Sequence, residues 1–237
     1  MKNISKFLFI VIMIIALSGI SSAVIVASDD TWVREDSPTS NRNGNDQINA
    51  RTDIDADDND AILLKFDVTG IASSGNSLNL VWYRDDSGSS NTLSLYGLNE
   101  THSDELTWSE STVIYNDAPG LIPDGLNPTE ESGLGHTWDD IRDLDLANLT
   151  LLVDNQPYGP QVTGEVYTFS GTALDDFLNA DTNGYVTFLI LRGNESTSGN
   201  QARFQVKEVG TGAYLVPEPA TMLLLGLGGL VSLRKRR

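Results

Sequence analysis

The sequence predicts an all-β fold, an antiparallel β-sandwich of jelly-roll type with one short helix. Three observations carry that reading. Short apolar, β-branched runs recur along the chain, polar Gly-, Asp- and Ser-rich breaks separate them, and no fixed internal period marks a solenoid or propeller. Apolar and polar residues alternate in Leu78-Asn79-Leu80-Val81-Trp82-Tyr83 and in Thr92-Leu93-Ser94-Leu95-Tyr96, as strands with one buried face require. Alternation with short connections favours an antiparallel sandwich over a parallel sheet.

In chain order, strand runs fall at 31–34, 61–66, 78–83, 93–98, 149–153, 166–169, 185–191 and 204–209. The break at 85–91 is a turn by composition. Trp32 and Trp82 lie inside strand runs and belong to the core. The single helix spans 172–179, where Leu174, Phe177 and Leu178 fall at i, i+3 and i+4, and it is expected to cover one end of the sandwich. A polar stretch from 121 to 164, with Pro123, Pro128, Pro157 and Pro160, reads as a long insertion.

The two ends differ from this middle. Residues 1–23 place Lys2 and Lys6 about the start of an apolar run, 7–17, and end on Ser21, Ser22 and Ala23, the layout of a signal peptide cut by signal peptidase after Ala23. The folded domain is then 24–214, and 215–237 forms a tail. In the tail, Val216, Pro217, Glu218 and Pro219 precede an apolar stretch at 220–233 and the basic end Arg234, Lys235, Arg236 and Arg237. Those cations form a cytoplasmic stop by the positive-inside rule. As a transmembrane helix the apolar stretch spans about 21 Å at ~1.5 Å per residue against a hydrocarbon core of ~30 Å, so it suits a transient stop. Pro217 and Pro219 hold the segment before it extended, as a processing enzyme needs.

The chain carries 33 acidic and 15 basic side chains, for a net charge of -18. The two ends hold 6 of the bases and one acid, Glu218, so the remaining 9 bases and 32 acids give the middle a charge of -23. That field opposes nucleic acid and anionic lipid and favours cations. With no cysteine, a disulfide framework, a zinc-thiolate site and a cysteine nucleophile are excluded.

Acids offer the first candidate sites. Asp29, Asp30 and Asp67 lie at strand ends and are expected to hold a structural calcium ion if the fold brings them together; turn capping is the alternative. The run from Asp53 to Asp60 alternates oxygen ligands, but it has Asp58 where a calcium loop of the EF-hand kind needs Gly and Leu64 where it needs Glu. Trp108 and Trp138 sit in polar surroundings and are the candidate sugar-stacking platforms. His102 and His136 accompany no nucleophile motif, so no catalytic residues are assigned.

Two resemblances attach to these residues. Val216-Pro217-Glu218-Pro219, the Gly-rich apolar stretch and the terminal basic cluster resemble the PEP-CTERM tail of Gram-negative bacteria. That resemblance implies recognition by an exosortase, transient anchoring in the inner membrane, and delivery to the cell envelope or extracellular matrix. The succession Asp30-Thr31-Trp32-Val33-Arg34, Ala61-Ile62-Leu63-Leu64-Lys65-Phe66-Asp67, Leu106-Thr107-Trp108 and Tyr115-Asn116-Asp117-Ala118-Pro119-Gly120 resembles DNRLRE domains, which are similar to carbohydrate-binding module family 96. The likeness resumes at 184–191 and in the closing strands, and it implies a β-sandwich module of extracellular proteins. Two readings of function follow: an exported structural or adhesive matrix protein, or a module that binds extracellular polysaccharide. A polysaccharide-degrading enzyme is the third and least favoured.

Overall fold

The computed structural model describes residues 24–52, 59–71, 74–86, 91–122, 144–193 and 201–217. The strands are β1 (Ile25–Val26), β2 (Asp29–Arg34), β3 (Gln47–Ala50), β4 (Asp60–Asp67), β5 (Ser77–Val81), β6 (Asn91–Leu98), β7 (Leu149–Tyr158), β8 (Val166–Ser170), β9 (Tyr185–Arg192), β10 (Ala202–Gln205) and β11 (Tyr214–Val216). Among the described residues one α-helix, α1 (Thr172–Ala180), stands between β8 and β9, and a single 3-10 turn spans Tyr115–Asp117. All the strand pairs are antiparallel. The expected all-β sandwich is what the chain forms.

Two sheets build it: β2-β4-β9-β6-β7 on one side and β1-β11-β5-β8 on the other, with the pair β10-β3 between their ends. Ile62, Leu64 and Phe66 of β4, Val186, Phe188 and Ile190 of β9, and Leu93 and Leu95 of β6 face Leu78 and Leu80 of β5, Phe169 of β8 and Leu215 of β11 in one core. Trp82 closes the end of that core, stacked on Phe204 at 4.2 Å and tilted against Tyr158 at 5.3 Å and Tyr167 at 5.7 Å. Both expected core tryptophans, Trp32 and Trp82, are buried.

The five-stranded sheet is covered on its other face as well. Val33, Ala61, Leu63, Leu189 and Leu191 meet Trp108, Val113, Tyr115, Ala118 and Leu121 from the segment after β6, and Leu144 and Leu149 close the patch. This explains why β4 and β9 read as unbroken apolar runs, Ala61 to Phe66 and Val186 to Leu191, although their sheet is antiparallel: each is buried on both faces.

Where expectation and structure differ, the reasons are local. Strands β1, β3 and β11 were not expected; they are two to four residues long and show no usable alternation. Strand β10 occupies 202–205 instead of 204–209, because Val206 begins a turn in which its carbonyl accepts the Val209 and Gly210 N–H groups. Strand β7 runs on to Tyr158 through Pro157, inside the stretch expected as an insertion loop. It is the edge strand, so the missing proline N–H breaks no ladder. Signal peptide, apolar tail and residues 123–143 lie outside the described residues, and no helix among the described residues is long and apolar enough to cross a membrane.

Helix α1 packs as its spacing predicts. Leu174 and Leu178 are buried in the inter-sheet core, and Phe177 lies 5.8 Å from Phe188, ring centre to ring centre. The Phe177 ring rests on Gly97 of β6, where any Cβ would clash with the ring edge at Cζ, Cε1 and Cε2. That close approach fixes the helix over one end of the sheet and opens a cleft beside it.

Candidate functional site

Two gatherings of carboxylates stand out. The first forms where β2 meets the loop at Glu110 and the turn after β10. Neighbouring residues of a strand point to opposite faces. Asp29, opposite Lys65 in the ladder, turns to the outer face, where Oδ1 accepts the Glu110 N–H at 3.2 Å and Oδ2 lies 3.9 Å from Lys65 Nζ. Asp30, opposite Leu64, turns to the core side, where Oδ2 accepts the Lys207 N–H at 2.8 Å. Burial pushes its carboxyl up to about 6 against the opposing pull of Lys207.

One oxygen from each of Asp30, Glu110 and Glu208 falls within 4.8 Å of the others. The Lys207 ammonium stands among them, 3.5 Å from Asp30 Oδ1, 3.1 Å from Glu208 Oε1 and in contact with Glu110 Oε2. Burial works against that charge, but the three carboxylates outweigh it and hold the ammonium above the usual lysine range. Of the expected trio Asp29, Asp30 and Asp67, only Asp30 is a member. Asp67 is exposed and accepts the Thr69 N–H at 3.0 Å, an Asx turn, which holds its carboxyl below the usual range. Alternation along β2 and the turn after β4 separate the three, and so the expectation of a shared cation at them is corrected.

The second gathering lines the cleft beside α1, a cavity of about 500 Å³. Glu100 and Glu105 come from the turn after β6, Asp176 and Phe177 from α1, and Asp181 from just beyond the helix. Glu100 is tied to the Thr182 N–H and takes the Thr182 hydroxyl at 3.0 Å, and it titrates below the usual range mainly through the first of these. Glu105 is 1% exposed. Its Oε2 accepts Asn183 Nδ2 at 2.8 Å, whereas Oε1 is buried without a hydrogen bond. Asp181 is met in part: Oδ2 accepts the Gly184 N–H at 3.0 Å, Oδ1 has no N–H donor, and the carboxyl lies against that of Glu100. Burial raises both carboxyls above the usual range. Among the described residues, no basic side chain lines this cleft.

The expected sugar platform at Trp108 is corrected. Its ring is 6% exposed, its Nε1–H donates to Thr187 Oγ1 at 2.9 Å, and the Lys65 ammonium lies over it at 4.9 Å while bonding the carbonyls of Leu106 and Trp108. Burial keeps Lys65 below the usual lysine range. Trp108 and Lys65 are paired covers of the outer sheet face. Trp138 lies outside the described residues, as do residues 53–58 and His136; His102 sits in a turn, 4.0 Å from Asp104.

Comparison with known families now bears on this geometry. Residues 21–129 match the model of carbohydrate-binding module family 96. Residues 215–237 match the PEP-CTERM protein-sorting motif. The chain joins the two. Both resemblances drawn from the residues are met, that to the module over 21–129, just under half of the chain, without the expected extension to 184–191 and the closing strands, and the sorting motif marks a chain directed to the cell surface. No curated protein matches it. Within the module-like part fall Asp30, Glu100, Glu105, Trp108 and Glu110; Lys207, Glu208, Asp176 and Asp181 come from beyond it.

The sorting motif begins inside the fold. Val216 is the last residue of β11, paired with Ser77, and Pro217 is buried. The expected extended conformation holds for Val216, and Pro217 packs against the fold. Glu218, Pro219 and the basic cluster from Arg234 to Arg237 lie outside the described residues.

Sequence reasoning missed Glu100, Glu105 and Asp181 at the cleft, and Glu110, Lys207 and Glu208 at the other cluster. Each is a turn acid or base with no distinguishing neighbour, and only long-range contacts assemble them.

Proposed function

We propose that this chain is an exported, non-catalytic surface protein whose body binds extracellular polysaccharide and so serves a structural or adhesive role in the matrix. The observation that carries the reading is the match of residues 21–129 to a carbohydrate-binding module family in a chain that also bears a sorting motif. The cleft beside α1 supports it: a concave site of about 500 Å³ with convergent polar groups and an aromatic edge, in the size range of small-ligand sites. The PEP-CTERM segment serves an exosortase, with transient retention in the inner membrane of a Gram-negative-type cell before release. Signal peptidase removes 1–23.

A glycan array probed with the purified protein tests the binding: specific retention on at least one polysaccharide class is expected, and silence across neutral, acidic and amino sugars rejects it. Changing Glu218 and Pro219 to Ala tests the sorting. Unchanged tail processing and release after cell fractionation would count against exosortase handling.

A further inference from the structure

We propose that the cleft beside α1 takes an amino-sugar unit, seating its ammonium group against Glu105 and Asp181; this rests on the carbohydrate-binding reading and names the class of sugar. Glu105 Oε1 is buried without a hydrogen bond and Glu105 as a whole is 1% exposed, while the Asp181 carboxyl, whose Oδ1 has no N–H donor, lies against that of Glu100. A buried carboxylate oxygen without a donor is costly, and a cationic donor entering the cleft removes the cost. Lys65, whose charge Glu105 feels, spends its ammonium on the carbonyls of Leu106 and Trp108. Among the described residues, the cleft is thus lined by the carboxylates of Glu100, Glu105, Asp176 and Asp181 and by no basic side chain.

The spacing favours an organic cation over a bare metal ion. Among the described residues, the carboxylates that converge within 4.8 Å are Asp30, Glu110 and Glu208, where Lys207 already stands; those of the cleft are not in that set. A cleft of about 500 Å³ in which, among the described residues, no three carboxylates converge on one point suits a ligand several atoms across that presents an ammonium and hydroxyl donors. Phe177 offers the apolar surface that the C–H face of a pyranose ring covers. The charge of the chain points the same way: a middle carrying 32 acids against 9 bases repels a uronate polymer and attracts a polyamine sugar.

Titration calorimetry with the purified full chain tests this, using a fully deacetylated glucosamine oligomer, its N-acetylated counterpart, a glucose oligomer and calcium chloride alone. Binding of the deacetylated oligomer is expected at least tenfold tighter than that of the acetylated one, weakening as salt rises. Glu105→Gln and Asp181→Asn are each expected to lose tenfold or more while melting no lower than the parent; Glu165→Gln, an exposed acid outside the cleft, is expected to bind as the parent does. Equal binding of the two glucosamine oligomers, or binding indifferent to Glu105→Gln and Asp181→Asn, overturns the inference and leaves carbohydrate binding standing. Equal competition by oligolysine overturns it as surface charge alone. Calcium binding that depends on Glu105, without sugar binding, overturns it in favour of a metal site. Silence toward every sugar overturns both readings.

Discussion

The two carboxylate gatherings are alike in chemistry and opposite in how their charge is met. At Asp30, Glu110 and Glu208 the chain supplies its own cation, Lys207, from a turn that follows β10. At Glu100, Glu105 and Asp181 it supplies N–H donors to some oxygens, leaving Glu105 Oε1 without a hydrogen bond and Asp181 Oδ1 without an N–H donor. The difference teaches how to separate a structural acid cluster from a ligand site. The first ties the module-like part of the chain to its final strands; the second is unfinished until something cationic enters.

The largest effect is expected from removing the resident cation. Lys207→Met leaves Asp30 buried beside Glu110 without its ammonium, and about 2–4 kcal/mol should be lost at neutral pH, below the full value for a buried pair because Lys207 partly reaches water. Urea denaturation reads the loss, which should shrink below pH 6 as Asp30 takes up a proton. The same variant tests for calcium at this cluster: millimolar calcium is expected to raise its melting temperature and leave that of the parent unchanged. A calcium shift in the parent would show that the ammonium is not the resident cation.

Next comes the shape of the cleft. Gly97→Val puts carbon where the Phe177 ring lies, and overpacking of this kind costs about 1–3 kcal/mol. Displaced Phe177 should also weaken sugar binding. If thermal melting and calorimetry both match the parent, the ring does not define the cleft.

Smaller, and opposite in sign, is the effect of neutralising the cleft floor. Glu105→Gln removes a buried charge with an unpartnered oxygen and should raise stability at neutral pH by about 1 kcal/mol. A site kept for stability would lose stability instead.

The finest test is the pH profile. Asp30, Glu105 and Asp181 have folded-state values raised by burial, Asp30 from 3.8 to about 6. Raised acids contribute stability that is complete below their unfolded range and is lost as pH rises through the folded value. For Asp30, stability therefore declines from about pH 4 toward pH 6, and Glu105 and Asp181 act in the same sense. Asp67, Asp85 and Glu100 are lowered by N–H donors and act in the reverse sense, losing their contribution as pH falls through the acid range. Glu105→Gln should lessen the loss of stability that the raised acids cause as pH rises and leave the acid limb alone, as melting curves across pH will show.

Much of the fold was legible because strand periodicity is a local property. The runs at β2, β4, β5, β6, β8 and β9 and the 174–177–178 stripe of α1 were plain, since each side chain's face depends on its parity or helical phase. The short β1, β3 and β11 were hidden because two to four residues carry no period. Trp108 misled for a physical reason: its neighbours in sequence are polar, but its neighbours in space are Lys65 and Thr187, buried on the outer face of the five-stranded sheet.

By itself the sequence determined the sandwich class, the acidity and the sorting tail, all of which are written in contiguous residues or in composition. Tertiary structure alone decided which acids meet. Glu105 and Asp181 flank the cleft across 76 positions, and Asp30 meets Lys207 across 177. Antiparallel pairing brings together strand ends that are distant in the chain, so sites built from turns have no signature in sequence spacing. The charges were visible from the start, but whether each would find a partner was a question of register and packing.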